Sequence, residues 1–197
     1  MSRERCPSCD FLLQMCLCDV IHTINNHPKI IVLQHPKESK HAKNSVSVLK
    51  PCLTNIAVIE GESEQDFQSV QEDVQANPHQ FALVYPSASS QAIEQLNTET
   101  RSVITHLIVI DATWRKAYKM LQLNPWLQHI QQLHFSHIPN SLYGIRKRPK
   151  DTYLSTLEAV AYSLQAGFNV NTTALLNAFA EFQQRTFAKH PSQQHKP

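Results

Sequence analysis

Glycine is scarce in this chain: three occur in 197 residues, at positions 61, 144 and 167. A dinucleotide site of the Gly-x-Gly-x-x-Gly kind, or a P-loop, needs glycines where backbone amides approach phosphate, and neither pattern occurs. Any nucleotide-like ligand must be held by another loop architecture. Long apolar runs are missing too. The longest, such as Leu107 to Ile110, have strand length, far short of the roughly 20 residues that cross a bilayer. The apolar patch Phe11 to Leu13 is broken by Gln14 and ringed by cysteines, which does not fit an export signal. These absences point to a soluble protein of the cytoplasm with no membrane partner. The net charge of +2 is too small to indicate nucleic-acid binding unless cations cluster.

Charge is in fact unevenly placed. Residues 60–73 carry six acids and no Lys or Arg, whereas Arg146, Lys147, Arg148 and Lys150 form a basic run and Arg115, Lys116 and Lys119 share another element. Short β-branched runs recur at Ile30 to Leu33, Ile56 to Ile59, Ala82 to Tyr85 and Leu107 to Ile110, with Leu133 to Phe135 a weaker one. Helical periodicity lies between them, at Glu64 to Ala76, Gln91 to Leu96 and Arg115 to Leu123. This alternation predicts an α/β fold, a mostly parallel sheet with helices on both faces. Tyr153 to Ala166 and Thr172 to Lys189 read as two further helices separated by Gly167. Leu175, Phe179 and Phe182 fall at core-facing spacing in the second. The tail 190–197 has nothing to bury and is expected to be disordered.

Four of the five cysteines crowd into the first eighteen residues as Cys6-x2-Cys9 and Cys16-x-Cys18. That spacing is poor for a disulfide framework and good for one tetrahedral zinc. His22 stands close enough to replace one thiolate, and an iron–sulfur centre or unliganded thiols are the alternatives. Four protein ligands would make the zinc structural, a small N-terminal knuckle. Arg3 and Arg5 beside it suit phosphate contact, and Cys52 reads as a core thiol.

The segment His106 to Leu121 contains a buried-looking strand, then Asp111-Ala112-Thr113-Trp114, then a basic helix. In an open α/β sheet a carboxylate at that strand end faces the ligand crevice. Asp-x-Thr before a helix is also an ordinary N-cap sequence.

Together, the cysteine head, Asp111-Ala112-Thr113-Trp114 and Leu154-Ser155-Thr156-Leu157-Glu158-Ala159 resemble the DTW-domain family in order and spacing along most of the chain. His35-Pro36-Lys37-Glu38 with Asn44-Ser45, Tyr85-Pro86-Ser87 and Tyr143-Gly144-Ile145-Arg146 fit it as well. One departure is that Asp10 and Phe11 follow Cys9 where many relatives carry a basic, proline-containing stretch. Family members are similar to tRNA-uridine aminocarboxypropyltransferases, with a sheet and cofactor loops related to the knotted SPOUT methyltransferases. The resemblance implies S-adenosylmethionine as co-substrate, tRNA as partner and a C-terminal knot. It divides the chain into a zinc-binding head (1–24) and a catalytic domain (25–189).

On this reading Asp111 is the candidate base, Thr113 orients it or binds the uracil edge, and Trp114 stacks on the base. Ser155 and Thr156, with Leu154, Tyr85, Pro86 and Ser87, are expected to hold the cofactor, although Ser155 or Thr156 with Glu158 equally suits a helix cap. Arg115, Lys116, Lys119, Arg146, Lys147, Arg148 and Lys150 are the expected tRNA phosphate contacts. The rival readings are the same transfer to ribosomal RNA, methyl transfer from the same donor, and a non-catalytic zinc-containing RNA-binding module.

Overall fold

The computed structural model describes residues 4–41, 44–137 and 154–188. In chain order the elements are β1 (Lys29–Gln34), α1 (Pro36–Ser39), α2 (Val46–Cys52), β2 (Ile56–Glu60), α3 (Gln68–Ala76), β3 (Phe81–Val84), β4 (Gln91–Ala92), α4 (Thr98–Val103), β5 (His106–Asp111), α5 (Trp114–Leu123), β6 (Gln131–His134), α6 (Thr156–Tyr162) and α7 (Thr173–Ala188). The six strands form one sheet in the order β2-β1-β5-β3-β6-β4, with every pair parallel.

Strand alternation divides the core into two layers. Ile30, Val32, Leu107, Val109, Ala82 and Leu133 pack under α2, α6 and α7, whereas Ile31, Leu33, Ile108, Phe81 and Leu83 pack under α3 and α5. Both faces are thus covered, which is why these strands are nearly all apolar rather than alternating. The chain leaves β1 toward α2 on the first face and leaves β5 toward α5 on the second. Adjacent strands whose connections part to opposite faces open a crevice at their carboxyl ends.

The five expected strands and the parallel sheet are observed. Two elements differ from expectation. Gln91 to Leu96 is not a helix: Gln91 and Ala92 pair with Leu133 and His134 as an edge strand, followed by a single 3-10 turn at Ile93–Gln95. Tertiary pairing overrides the short helical pattern there. Glu64 to Ala76 splits into a 3-10 turn, Glu64–Phe67, and α3, because a Ser63–Asp66 capping box tightens its first turn. Phe67, Val70 and Val74 nonetheless face the core as their spacing predicts.

Gly167 closes a π-helical turn, Ser163–Gly167, that extends α6. A Cβ there would lie 2.8 Å from Ile93 Cγ1, so only glycine lets this turn approach the edge of the sheet. The expected start of this helix at Tyr153, the end of α7 at Lys189, the tail 190–197 and the segment 138–153 lie outside the described residues. The C-terminal knot that the resemblance implies is not shown among the described residues, which omit 138–153.

The head is a small knuckle whose apolar side joins the α7 layer. Phe11 and Leu17 are buried in the same core as α2 and α7, and the Phe11 ring lies 5.6 Å from that of Phe182. Arg185 on α7 reaches back, donating to the Cys16 carbonyl and, at 2.6 Å, to Asp19. Asp10 adopts a left-handed backbone conformation at φ 59° and pairs with Arg5 at 3.3 Å in solvent. The departure from the family pattern after Cys9 is therefore a turn residue followed by a core anchor.

Candidate active site

Asp111 ends β5 and is half-buried. Its backbone register sets it opposite Gln34, the last residue of β1. Because matched residues of parallel strands point to the same face, the Gln34 amide reaches the carboxylate laterally, with Nε2 donating to Asp111 Oδ2 at 2.8 Å. The Thr156 hydroxyl, on the first turn of α6, donates to Asp111 Oδ1 at 2.5 Å. Two donors from separate elements fix the plane of the carboxylate. Thr113 occupies the N-cap position of α5 without a side-chain cap bond. The capping reading of Asp-x-Thr thus gains nothing from Thr113.

A cavity of about 260 Å³ opens beside this carboxylate. Val84, Val109, Ile110, Leu133, Phe135 and Ala159 give it a largely apolar floor. Of the expected cofactor residues, Tyr85, Pro86, Leu154, Ser155 and Thr156 all line it, and Trp114 does too. Ser87 is exposed and outside the wall. Asp111 and Thr113 are not wall residues either, though Ile110, Ala112 and Thr156, which surround the carboxylate, are. Trp114 is 51% exposed, its ring centroid 5.9 Å from that of Tyr85. Tyr118, one turn along α5 and 60% exposed, extends this into an aromatic strip. Burial pushes the Tyr85 hydroxyl up, and Tyr118 adds to the shift.

Sequence reasoning missed two residues of this site. Gln34 reads as an ordinary strand end. His134, on β6, lines the cavity with Nδ1 2.9 Å from Ser90 Oγ. Ser90 Oγ already donates to the Ser87 carbonyl at 2.8 Å and accepts from the Ser87 amide at 3.0 Å. Its single hydroxyl proton is therefore used, so the imidazole donates from Nδ1, and a neutral ring carries its acceptor on Nε2. For Gln34 the one sequence signal was a polar residue closing an apolar strand, and for His134, which closes the strand Gln131–His134, there was none.

Ser155 caps α6 in a full capping box: Ser155 Oγ accepts from Glu158 N at 3.3 Å and Glu158 Oε2 accepts from Ser155 N at 2.8 Å. The capping alternative raised by the sequence describes this pair. Ser155→Ala is expected to lower stability by about 1 kcal/mol, read as a fall in melting temperature of about 2–4 °C. A separate loss of donor affinity would mark a second role for its hydroxyl.

The basic residues are divided. Lys116 is drawn into a 2.8 Å ion pair with buried Glu38, and Lys119 pairs with Glu62 at 3.0 Å and holds that carboxyl below the usual carboxylate range. Arg115 is exposed. Arg146, Lys147, Arg148 and Lys150, like Tyr143 to Ile145, lie outside the described residues.

In the head, the Sγ atoms of Cys6, Cys9, Cys16 and Cys18 all lie within 4.8 Å of one another, with Cys6 to Cys18 at 3.5 Å and Cys9 to Cys16 at 3.7 Å. Tetrahedral zinc with Zn–S near 2.3 Å needs sulfurs about 3.8 Å apart, so the tetrad has the right size. Backbone amides of Cys9 and Ser8 pull the Cys6 thiol down to about 6, while the neighbouring thiols push Cys18 well above its usual range. Four sulfurs this close call for a cation before all can ionise. His22 is exposed and stands outside the tetrad. Burial pushes Cys52 up to about 11, as befits a core thiol.

A crevice at the carboxyl ends of a parallel sheet, built without a glycine-rich phosphate loop, defines an α/β protein whose candidate ligand site is walled by side chains. The chain belongs to the DTW-domain family, whose model matches residues 3–187. It is similar to tRNA-uridine aminocarboxypropyltransferase 2 of Macaca fascicularis, 25% identical over 82% of this chain and 56% of the relative. It is also similar to the Drosophila melanogaster protein of the same name, 27% identical over 82% of this chain and 66% of the relative. A third relative is tRNA-uridine aminocarboxypropyltransferase A of Arabidopsis thaliana, 27% identical over 83% of this chain and 72% of the relative. The chain thus spans between about half and three quarters of the length of these curated relatives. No solved structure matches it significantly. Among the described residues, no helix is long and apolar enough to cross a membrane.

Proposed function

We propose that this protein transfers the 3-amino-3-carboxypropyl group of S-adenosylmethionine to the ring imide nitrogen of a tRNA uridine, in the cytoplasm. The observation that carries this is the Asp111 carboxylate, clamped by Gln34 and Thr156 at the edge of a side-chain-lined cavity. Names of the relatives and the family membership support the reaction class. The division into a zinc head (1–24) and a catalytic body (25–189) belongs to the same reading.

The sulfonium donor supplies an activated methylene carbon. The nitrogen–carbon bond forms as the carbon–sulfur bond breaks, its electron pair returning to sulfur to leave methylthioadenosine. Asp111 accepts the imide proton during attack. Gln34 and Thr156 hold the carboxylate in place for that transfer. Trp114 offers an exposed ring for stacking the uracil. The apolar cavity takes the adenosine part of the donor, with His134 Nε2 accepting from the adenine amino group. Cys6, Cys9, Cys16 and Cys18 would hold a structural zinc that takes no part in the chemistry.

The test is a reaction of purified protein with tRNA and S-adenosylmethionine, followed by mass spectrometry of nucleosides and thioethers. Aminocarboxypropyluridine with methylthioadenosine is expected; a methylated nucleoside with S-adenosylhomocysteine would replace this reading with the methyltransferase one. His134→Leu is expected to weaken methylthioadenosine binding by about tenfold, the value of one buried hydrogen bond. Calorimetric titration that finds unchanged affinity would remove the imidazole from the adenine site.

A further inference from the structure

A second opening lies on the other side of Asp111. On the face that carries α2, α6 and α7, the ends of β2, β1 and β5 set Glu60, Gln34 and Asp111 side by side, because Gln34 is in register with both neighbours. The apolar cavity opens on the β3 and β6 side of Asp111. On the β1 and β2 side lies a wider groove of about 890 Å³ with mixed polar and apolar walls, between the cysteine head, the end of α1 and α2. Asp111 is held from both directions: Thr156 belongs to the wall of the cavity and Gln34 to the wall of the groove.

The amide of Gln34 has a determined orientation. Asn44 Oδ1 accepts from the Val46 backbone amide at 2.9 Å, so it is an acceptor, and Gln34 Nε2 donates to it at 3.2 Å as well as to Asp111. Both amide protons are thereby used. Gln34 Oε1 has no partner among the described residues and is the atom left to meet a ligand in the groove, in a side chain that is 96% buried by the complement of its 4% exposure. It suits a donor such as a ribose hydroxyl. The walls carry Lys40 and Lys50, both exposed, and Arg5, whose exposed pairing with Asp10 is open to competition from another anion. Glu60 and Asp10 are the opposing acids in the groove.

Resting on the function proposed above, we propose that this groove takes the single-stranded RNA that flanks the target uridine, with Lys40 and Lys50 on its phosphates and Gln34 Oε1 on a nucleotide at its floor. The RNA then passes Asp111, so that the target uracil meets the exposed Trp114 ring on the cavity side.

The test compares wild type with the double variant Lys40→Glu, Lys50→Glu. Both positions are exposed helix-end or turn sites, and unchanged melting would establish that the variant folds. Its Kd for tRNA is expected to rise about tenfold or more, with the slope of log affinity against log salt shallower by about one to two. Affinity for methylthioadenosine should stay unchanged. An unchanged tRNA Kd and salt slope would overturn the groove, as would photocrosslinks from a tRNA carrying 4-thiouridine beside the target position that avoid the head, Lys40 and Lys50. These binding readouts judge the groove whether or not product forms. Absence of the modified nucleoside with wild-type protein would overturn the function itself.

Discussion

Asp111→Asn is expected to lower single-turnover formation of the modified uridine by roughly 10²–10⁴-fold, the usual worth of a positioned general base, while donor and tRNA affinities stay close to wild type. The geometry makes this substitution a clean one. Asparagine can turn its Oδ1 to Gln34 Nε2, whose orientation is fixed through Asn44 and Val46, and its amide to the Thr156 hydroxyl, which can rotate to accept. Both of these hydrogen bonds can be retained, while the capacity to take a proton is lost. Rapid-quench assays with nucleoside mass spectrometry measure the step. Product forming at the wild-type rate would return Asp111 to a structural role and leave the protein as an RNA-binding module.

Removing the zinc proposed for the head is the other large effect. Chelation, or Cys16→Ser, is expected to release the head from α7 and expose Phe11 and Leu17. Full burial of such side chains contributes about 1.5–3 kcal/mol each, and in a chain of this size each kcal/mol moves the melting temperature by about 2–4 °C. The predicted fall is therefore on the order of 10 °C, with tightly bound zinc close to one per chain in the untreated protein. Arg185 would lose its carbonyl partner at Cys16 in the same event. A chelator-treated sample that is metal-free yet melts at the same temperature would show that the tetrad does not hold the head.

The fold was legible where one signal dominated. β1, β2, β3 and β5 announce themselves as short apolar runs, β6 does so more weakly, and four cysteines within thirteen positions need no tertiary context. What escaped was local structure that only packing stabilises. α1 and α4 are short, α2 contains Pro51, and none has a long apolar stripe, so no periodicity marks them. At the site, Asp111 and the residues of the cavity wall could be named from their motifs. Gln34 and His134 could not, because their significance comes from hydrogen bonds to residues 77 and 44 positions away. Lys116 shows the reverse case: a cation expected to face RNA is also paired with an acid 78 positions earlier, a contact that the sequence does not show.

The lateral bond from Gln34 to Asp111 has a consequence for how such a chain can change length. Successive side chains of a strand face opposite layers, so adding or deleting one residue within β1 or β5 would swing one partner through the sheet and separate the pair. Lengthening the turns beyond the strands carries no such penalty. Natural size variation should therefore collect in the connections, leaving the spacing inside these two strands as a frozen ruler.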